Sequence, residues 1–266
     1  MKDNESAFFT TERASVAGLD FFTVKSNALN HRADVIVYKP AGSHTNLPVV
    51  ILLHGVYGSH WAWSLKADVH NTLQYLIDSK ELPPMMLVMP SDGLFQDGSG
   101  YLPHQFADYE KWIAEDVPAL IREQYDEVTP YSPFFIAGLS MGGYGALRIG
   151  AKYHRLFKAF SGLSSIVNFD ELEQFVQDFD GLKNAVKSQE NVLEILQENR
   201  DEMGPFRFDC GEDDTLFDAN VALHKSLIKE GVRHEFIRHP GAHNWDYWHD
   251  HIGETLRFFA QQLNRV

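Results

Sequence analysis

The sequence predicts an α/β fold with a mostly parallel central sheet covered by helices on both faces. Three observations predict it. Continuous apolar runs recur, as at Pro48–Leu53 (PVVILL), Met85–Met89 (MMLVM) and Phe134–Ala137 (FFIA), the pattern of strands buried on both sides. Stretches of helical length separate these runs. The 266 residues, 44% of them apolar, suit one α/β domain over 1–266 with a sizeable core.

The elements follow in order. Phe21–Lys25 and Ala33–Tyr38 read as opening strands, an antiparallel pair. Pro48–Leu53 and Met85–Met89 come next, with a helix at Asn71–Asp78 between them and another at Phe106–Tyr125 beyond. Phe134–Ala137 leads into a helix at Gly143–Tyr153. Phe157–Phe160, Phe206–Cys210 and Glu235–Arg238 complete the strands, and Ala219–Glu230 and Trp248–Leu263 the helices. Gly231 stops the first of these two, as a residue free to adopt positive φ does. Residues 168–203 break the rhythm, with Asp, Glu and Gln set between spaced apolar positions. They read as an inserted helical segment beside the sheet, either a solvated face or a partial lid. No repeat, low-complexity tract or linker interrupts the chain.

Charge and cysteine narrow the partners. Thirty-seven Asp and Glu against 23 Lys and Arg give a formal charge of −14. Nucleic acid is excluded as a partner, because phosphate binding needs clustered cations, and anionic membranes are repelled. Cys210 is the lone cysteine, so no intramolecular disulfide forms. The first residues, MKDNESAFFTTER, lack the basic start and apolar run of a signal peptide. No stretch approaches the roughly 18 apolar residues of a membrane helix. The expected location is cytoplasmic.

The chemistry begins at Gly138-Leu-Ser-Met-Gly142. A bare G-x-S-x-G arises by chance in about one chain in ten of this length, so context decides. Here it follows an apolar strand and opens a helix, the setting in which a serine stands on a sharp turn above the strand ends. Ser140 is the expected nucleophile. A serine needs a base to take its proton, and histidine suits this best. Thirteen histidines are available, and the chain order Ser, acid, His selects among them. His243, in the loop after the last strand, fits better than His239 in the strand or His249 in the helix. The acid belongs after Phe206–Cys210, where Glu212, Asp213 and Asp214 compete. The oxyanion donors are expected from the N–H of Met141 and from the N–H of Val56, in Leu53-His-Gly-Val-Tyr-Gly58. Trp61 and Trp245 are candidate substrate contacts, and so is His54, for which a structural hydrogen bond within the loop is the equal alternative. Tyr57, His60, Trp63, Phe95, Tyr101 and Trp248 join them as possible aromatic cleft walls, against the alternative that these rings pack on each other.

In order along the chain stand LLHGVYGS, VMPSDG, DYEKWIAEDVP (108–118), FIAGLSMGGYGALRIG, CGEDDTLF and GAHNWDYW. Over roughly residues 30–260 the chain resembles the putative-esterase family of α/β-hydrolases. That family holds acetyl and feruloyl esterases, short-chain bacterial esterases, S-formylglutathione hydrolases and mycolyltransferases. The resemblance implies that the acid is the Asp of C-G-x-x-D-x-L, Asp214, with Asp213 the fallback. It also implies His243 as the Gly-x-His-x-Trp histidine, and Val56 as the oxyanion position after His-Gly. The chain lacks the cysteine usual in the early loop of S-formylglutathione hydrolases. The expected activity is hydrolysis of short-acyl esters, acetyl above all, of sugars or aromatic alcohols through an acyl-serine, with a small-molecule partner and no cofactor. Thioester hydrolysis and acyl transfer use the same triad. A non-catalytic binding module would not need Ser, Asp and His intact. A metal site from His239, His243, Asp246 or His249 finds no H-E-x-x-H or H-x-x-E-H helix to support it.

Overall fold

The computed structural model describes residues 8–16 and 18–263; the remaining positions of the 1–266 span lie outside the described residues. Nine strands form one sheet: β1 (Phe8–Val16), β2 (Leu19–Ser26), β3 (Arg32–Tyr38), β4 (Val49–Leu53), β5 (Met86–Pro90), β6 (Phe134–Leu139), β7 (Phe157–Leu163), β8 (Phe206–Gly211) and β9 (Glu235–His239). Their spatial order is β1-β2-β3-β5-β4-β6-β7-β8-β9. The first three are antiparallel to their neighbours, and β4 to β9 pair in parallel.

Both faces of the central strands are covered, which is why every residue of β4, β5, β6 and β8 is buried. Period-two alternation sorts the side chains. Val49, Ile51 and Leu53 join one apolar cluster with Trp112, Leu147 and Leu223. Val50 and Leu52 join the other, with Leu73, Leu76, Ile252 and Phe259. Among the described residues no helix is long and apolar enough to cross a membrane.

Several bounds differ from expectation, each for a local reason. β1 (FFTTERASV) carries the polar run Thr10–Arg13 through its middle, so its sequence gives little strand signal; it is an edge strand joined to β2 beside Gly18, whose φ is +78°. The helix expected from Phe106 begins at Tyr109, because the Asp108 side chain caps it by accepting from the Lys111 N–H at 2.9 Å. Phe106 is left 91% exposed. A π-helical turn, Trp112–Asp116, then joins it to Val117–Gln124. The last helix starts at Trp245, where Asn244 accepts from the Tyr247 N–H. Residues 168–203 hold a 3-10 turn, Phe169–Gln174, and two short helices, Phe179–Ala185 and Val192–Glu198. Asp170, Glu173, Asp178, Asp180, Glu194 and Glu198 are exposed, while Phe169, Leu172, Phe179, Leu182 and Leu196 pack into the first apolar cluster.

Candidate active site

Parallel strands collect their carboxyl ends at one edge, where ligands bind in open α/β sheets. Ser140 follows β6, Asp214 follows β8 and His243 follows β9 at that edge.

Ser140 sits between β6 and the helix Met141–Lys152 with φ +54° and ψ −119°, a conformation L residues rarely adopt. Backbone bonds hold it there. Its N–H donates to Leu163 O at 2.9 Å, and its carbonyl accepts from Tyr144 N and Ile166 N at 3.0 and 3.2 Å. The flanking glycines are dictated by space. A Cβ on Gly138 would lie 2.2 Å from Gly142 O, and one on Gly142 would lie 2.3 Å from Leu53 O. The turn therefore packs backbone on backbone and aims the Met141 end of the helix at the serine.

The expected triad residues form one chain of hydrogen bonds. Ser140 Oγ lies 3.0 Å from His243 Nε2, and His243 Nδ1 lies 2.8 and 3.0 Å from the two Asp214 oxygens. The Asp214 carboxylate also accepts from Leu216 N–H at 2.8 Å and is buried, which fixes its rotamer. Asp213 and Glu212 beside it are exposed. His239 instead contacts Glu254 at 3.2 Å, and His249 bonds to Ala67 O at 2.8 Å, so neither rival reaches the serine by these contacts.

The two expected oxyanion residues meet across Gly98. A Cβ there would lie 2.4 Å from Met141 Sδ and 3.4 Å from Val56 Cγ1. Gly55 lies as close: its Cβ would come within 3.3 Å of Ser140 Cβ. Neighbouring amides are committed elsewhere, Tyr57 N–H to Asp97 O at 2.9 Å and Gly58 N–H to Gly55 O at 3.3 Å. This geometry sets the loop after β4 against the nucleophile.

His54 is not a substrate contact. It is 2% exposed, its Nδ1 donates to Gly55 O at 2.7 Å and its Nε2 accepts the Asp92 N–H at 2.9 Å. Burial, against the opposing pull of Asp92, lowers its pKa and keeps the ring neutral in that tautomer. It ties the loop after β4 to the loop after β5. The aromatic wall is also thinner than expected. Trp63, Tyr101 and Trp248 are buried, with Trp63 Nε1 donating to Leu53 O and the Tyr101 hydroxyl to His54 O. Trp61 is half-buried against the second apolar cluster. Trp245 is half-buried and edge-on to Trp248, which is edge-on to His243 at 5.0 Å between ring centres.

One residue at the site carries no sequence signal. Phe175, from the inserted segment, stacks on the His243 imidazole, with ring centres 5.5 Å apart and planes 25° apart. The Tyr57 hydroxyl donates to the Phe175 carbonyl, and the nearby Gln177 N–H donates to the Asp97 carboxylate at 2.8 Å. Phe175 is one of several spaced apolar positions in FDELEQFVQDF (169–179), and no spacing sets it apart from Phe169 and Phe179.

A family sequence model described as putative esterase matches residues 26–259. The chain belongs to this family. Membership makes it a serine hydrolase of carboxylic esters. It is 25% identical over 236 residues to an acetyl esterase of Caldicellulosiruptor saccharolyticus, covering 81% of this chain and 84% of the relative. Its fold is similar to that of a solved ferulic acid esterase, at 24% identity and TM-score 0.80, covering 95% of this chain and 99% of the other. It is also similar to S-formylglutathione hydrolase from Staphylococcus aureus, at 18% identity and TM-score 0.75, covering 94% and 99%. These neighbours show that the chain has the α/β-hydrolase fold.

Proposed function

We propose that this esterase hydrolyses short-acyl carboxylic esters, acetyl-like, through an acyl intermediate on Ser140. The observation that carries the reading is the unbroken hydrogen-bond chain from Ser140 Oγ through His243 to Asp214. Ser140 Oγ attacks the ester carbonyl carbon while its proton passes to His243 Nε2. Asp214 holds the ring and stabilises the imidazolium. The N–H groups of Met141 and Val56 bind the oxyanion, a contribution on the order of 10²–10³ in rate per donor. Collapse breaks the ester C–O bond, and His243 returns the proton to the departing alcohol. Water, activated by the same ring, then releases the acid. These steps use no metal or cofactor.

The acetyl esterase relative supports a small acyl group. So does the segment 168–203, whose acidic surface is unsuited to a greasy interfacial lid. The partner is a small-molecule ester of a sugar or aromatic alcohol, and Trp61 and Trp245 remain our candidate contacts to it. The acidic chain is not a binder of nucleic acid or membranes. A single buried cysteine suits a reducing compartment, and we place the enzyme in the cytoplasm.

The test is fluorophosphonate labelling beside a nitrophenyl ester series. The probe is expected on the wild type and absent from Ser140→Ala, whose melting temperature stays close to wild type. Because each methylene is worth about 10–200-fold in a fitted pocket, specificity is expected to peak at about two to four acyl carbons. A peak at ten or more refutes the short-acyl reading. Glutathione thioesters and an added alcohol acceptor, run in parallel, separate ester hydrolysis from thioesterase and transferase activity.

A further inference from the structure

We propose that Phe175 selects the alcohol half of the ester, presenting one ring face to flat aromatic alcohols. The inference rests on the esterase reading above. The juxtaposition that carries it is Phe175 stacked on His243 and tied by its carbonyl to Tyr57.

The chemistry of the leaving group says which half of the ester meets Phe175. When the tetrahedral intermediate collapses, the proton moves from His243 Nε2 to the alcohol oxygen as the C–O bond breaks. That oxygen must therefore stand within hydrogen-bond reach of Nε2, and the carbons it carries must lie beside the imidazole. A ring laid on the imidazole face borders that space. Phe175 is half-buried: it packs partly against the first apolar cluster and keeps some surface accessible. Flat partners gain offset stacking on such a face, which a saturated chain cannot match.

The ring's position is built rather than incidental. Tyr57 directly follows Val56, and it holds φ +60°, unfavourable for a bulky L residue. Its N–H is bonded to Asp97 O and its hydroxyl to Phe175 O, while the Asp97 carboxylate accepts from Gln177 N–H. The strained tyrosine thus joins three segments: the loop after β4, the loop after β5 and the inserted turn. The Leu172, Val176 and Phe179 side chains anchor that turn from below. An acidic surface segment is in this way pinned so that Phe175 stacks on the reacting histidine while Phe169 and Phe179 are buried in the first apolar cluster.

The test holds the acyl group constant and varies only the flatness of the alcohol. Benzyl acetate and cyclohexylmethyl acetate have alcohols of similar size and leaving ability, so the ratio of their kcat/KM values reads the π face. The wild type is expected to favour benzyl. Phe175→Leu is expected to cut that ratio by about 5-fold or more, mainly through KM for benzyl acetate, while Phe175→Trp keeps or raises it. Tyr57→Phe removes only the hydroxyl tie, and is expected to move the ratio the same way by a smaller factor. A residue that merely supported His243 would lower both esters together and leave the ratio unmoved; an unmoved ratio in Phe175→Leu overturns the proposal. Fluorophosphonate labelling of each variant separates the two readings. Labelled variants with an unchanged ratio defeat the alcohol-selecting role alone, whereas an unlabelled wild type defeats the serine-esterase reading beneath it.

Discussion

His243 Nδ1 stands 2.8 and 3.0 Å from the two carboxylate oxygens of Asp214, while Asp213, one residue earlier, faces water. A one-residue difference therefore separates a buried orienting carboxylate from a solvated one. Asp214→Asn is expected to lower kcat by about 10⁴, because the amide cannot hold the same tautomer. Asp213→Asn is expected to change kcat by less than about threefold, since exposed charges interact weakly. Steady-state kinetics on one short ester checks both, and the reverse ranking would reassign the acid.

His54 is expected to matter for stability before substrate affinity. His54→Ala opens a cavity, strands the Asp92 N–H and leaves the Gly55 carbonyl with the Gly58 N–H at 3.3 Å, at a combined cost of about 2–4 kcal/mol. The loop carrying Val56 then loses its tie, so kcat falls as well. Denaturant unfolding measures the first effect and kinetics the second. A variant of native stability with only KM raised would return His54 to the substrate-binding residues.

Arg148 is 0% exposed and joins Glu190, at 2.8 Å, to the helix behind Ser140. It also bonds to the Gly100 and Tyr101 carbonyls and to Glu110. Arg148→Met leaves buried carboxylates short of a partner, at a cost of about 3–5 kcal/mol. Because Glu190 lies in the inserted segment, proteolysis there is expected to quicken. Unchanged cleavage of residues 168–203 together with wild-type stability would show that Glu190 and Lys152 anchor the segment alone.

Asp209 carries a pH signature. Burial pushes its carboxyl up to about 6, against the opposing pull of Arg207 and the hydrogen bond from Tyr247. The folded state thus holds this proton more tightly than the unfolded chain does. The sign follows: this contribution is full below the ordinary value of 3.8 and is lost as pH rises through about 6. Asp209→Asn removes the titration. Its stability relative to wild type is expected to rise between about pH 4 and 7, by up to about 3 kcal/mol. Melting curves at several pH values read the difference, and a pH-independent offset would show that Asp209 stays ionised throughout.

The sequence by itself determined eight of the nine strands and the functional edge of the sheet. Runs such as PVVILL and FFIA can be stable only as strands covered on both sides, and G-x-S-x-G between strand and helix admits little else than a tight turn. Those signals are local: hydrophobic period and glycine sterics act over a few residues. The family motifs added Asp214, which composition alone left level with Asp213 and Glu212. Only tertiary structure decided what distant side chains meet. His54 stayed open between substrate contact and loop hydrogen bond, because a buried imidazole bonded to backbone and a free one are the same letter; the fold decides for the loop. Trp63, Tyr101 and Trp248, three of the expected aromatic walls, became packing for the same reason. Phe175 reached His243 because Tyr57 and the first apolar cluster hold its turn in place, an arrangement no spacing in the chain encodes.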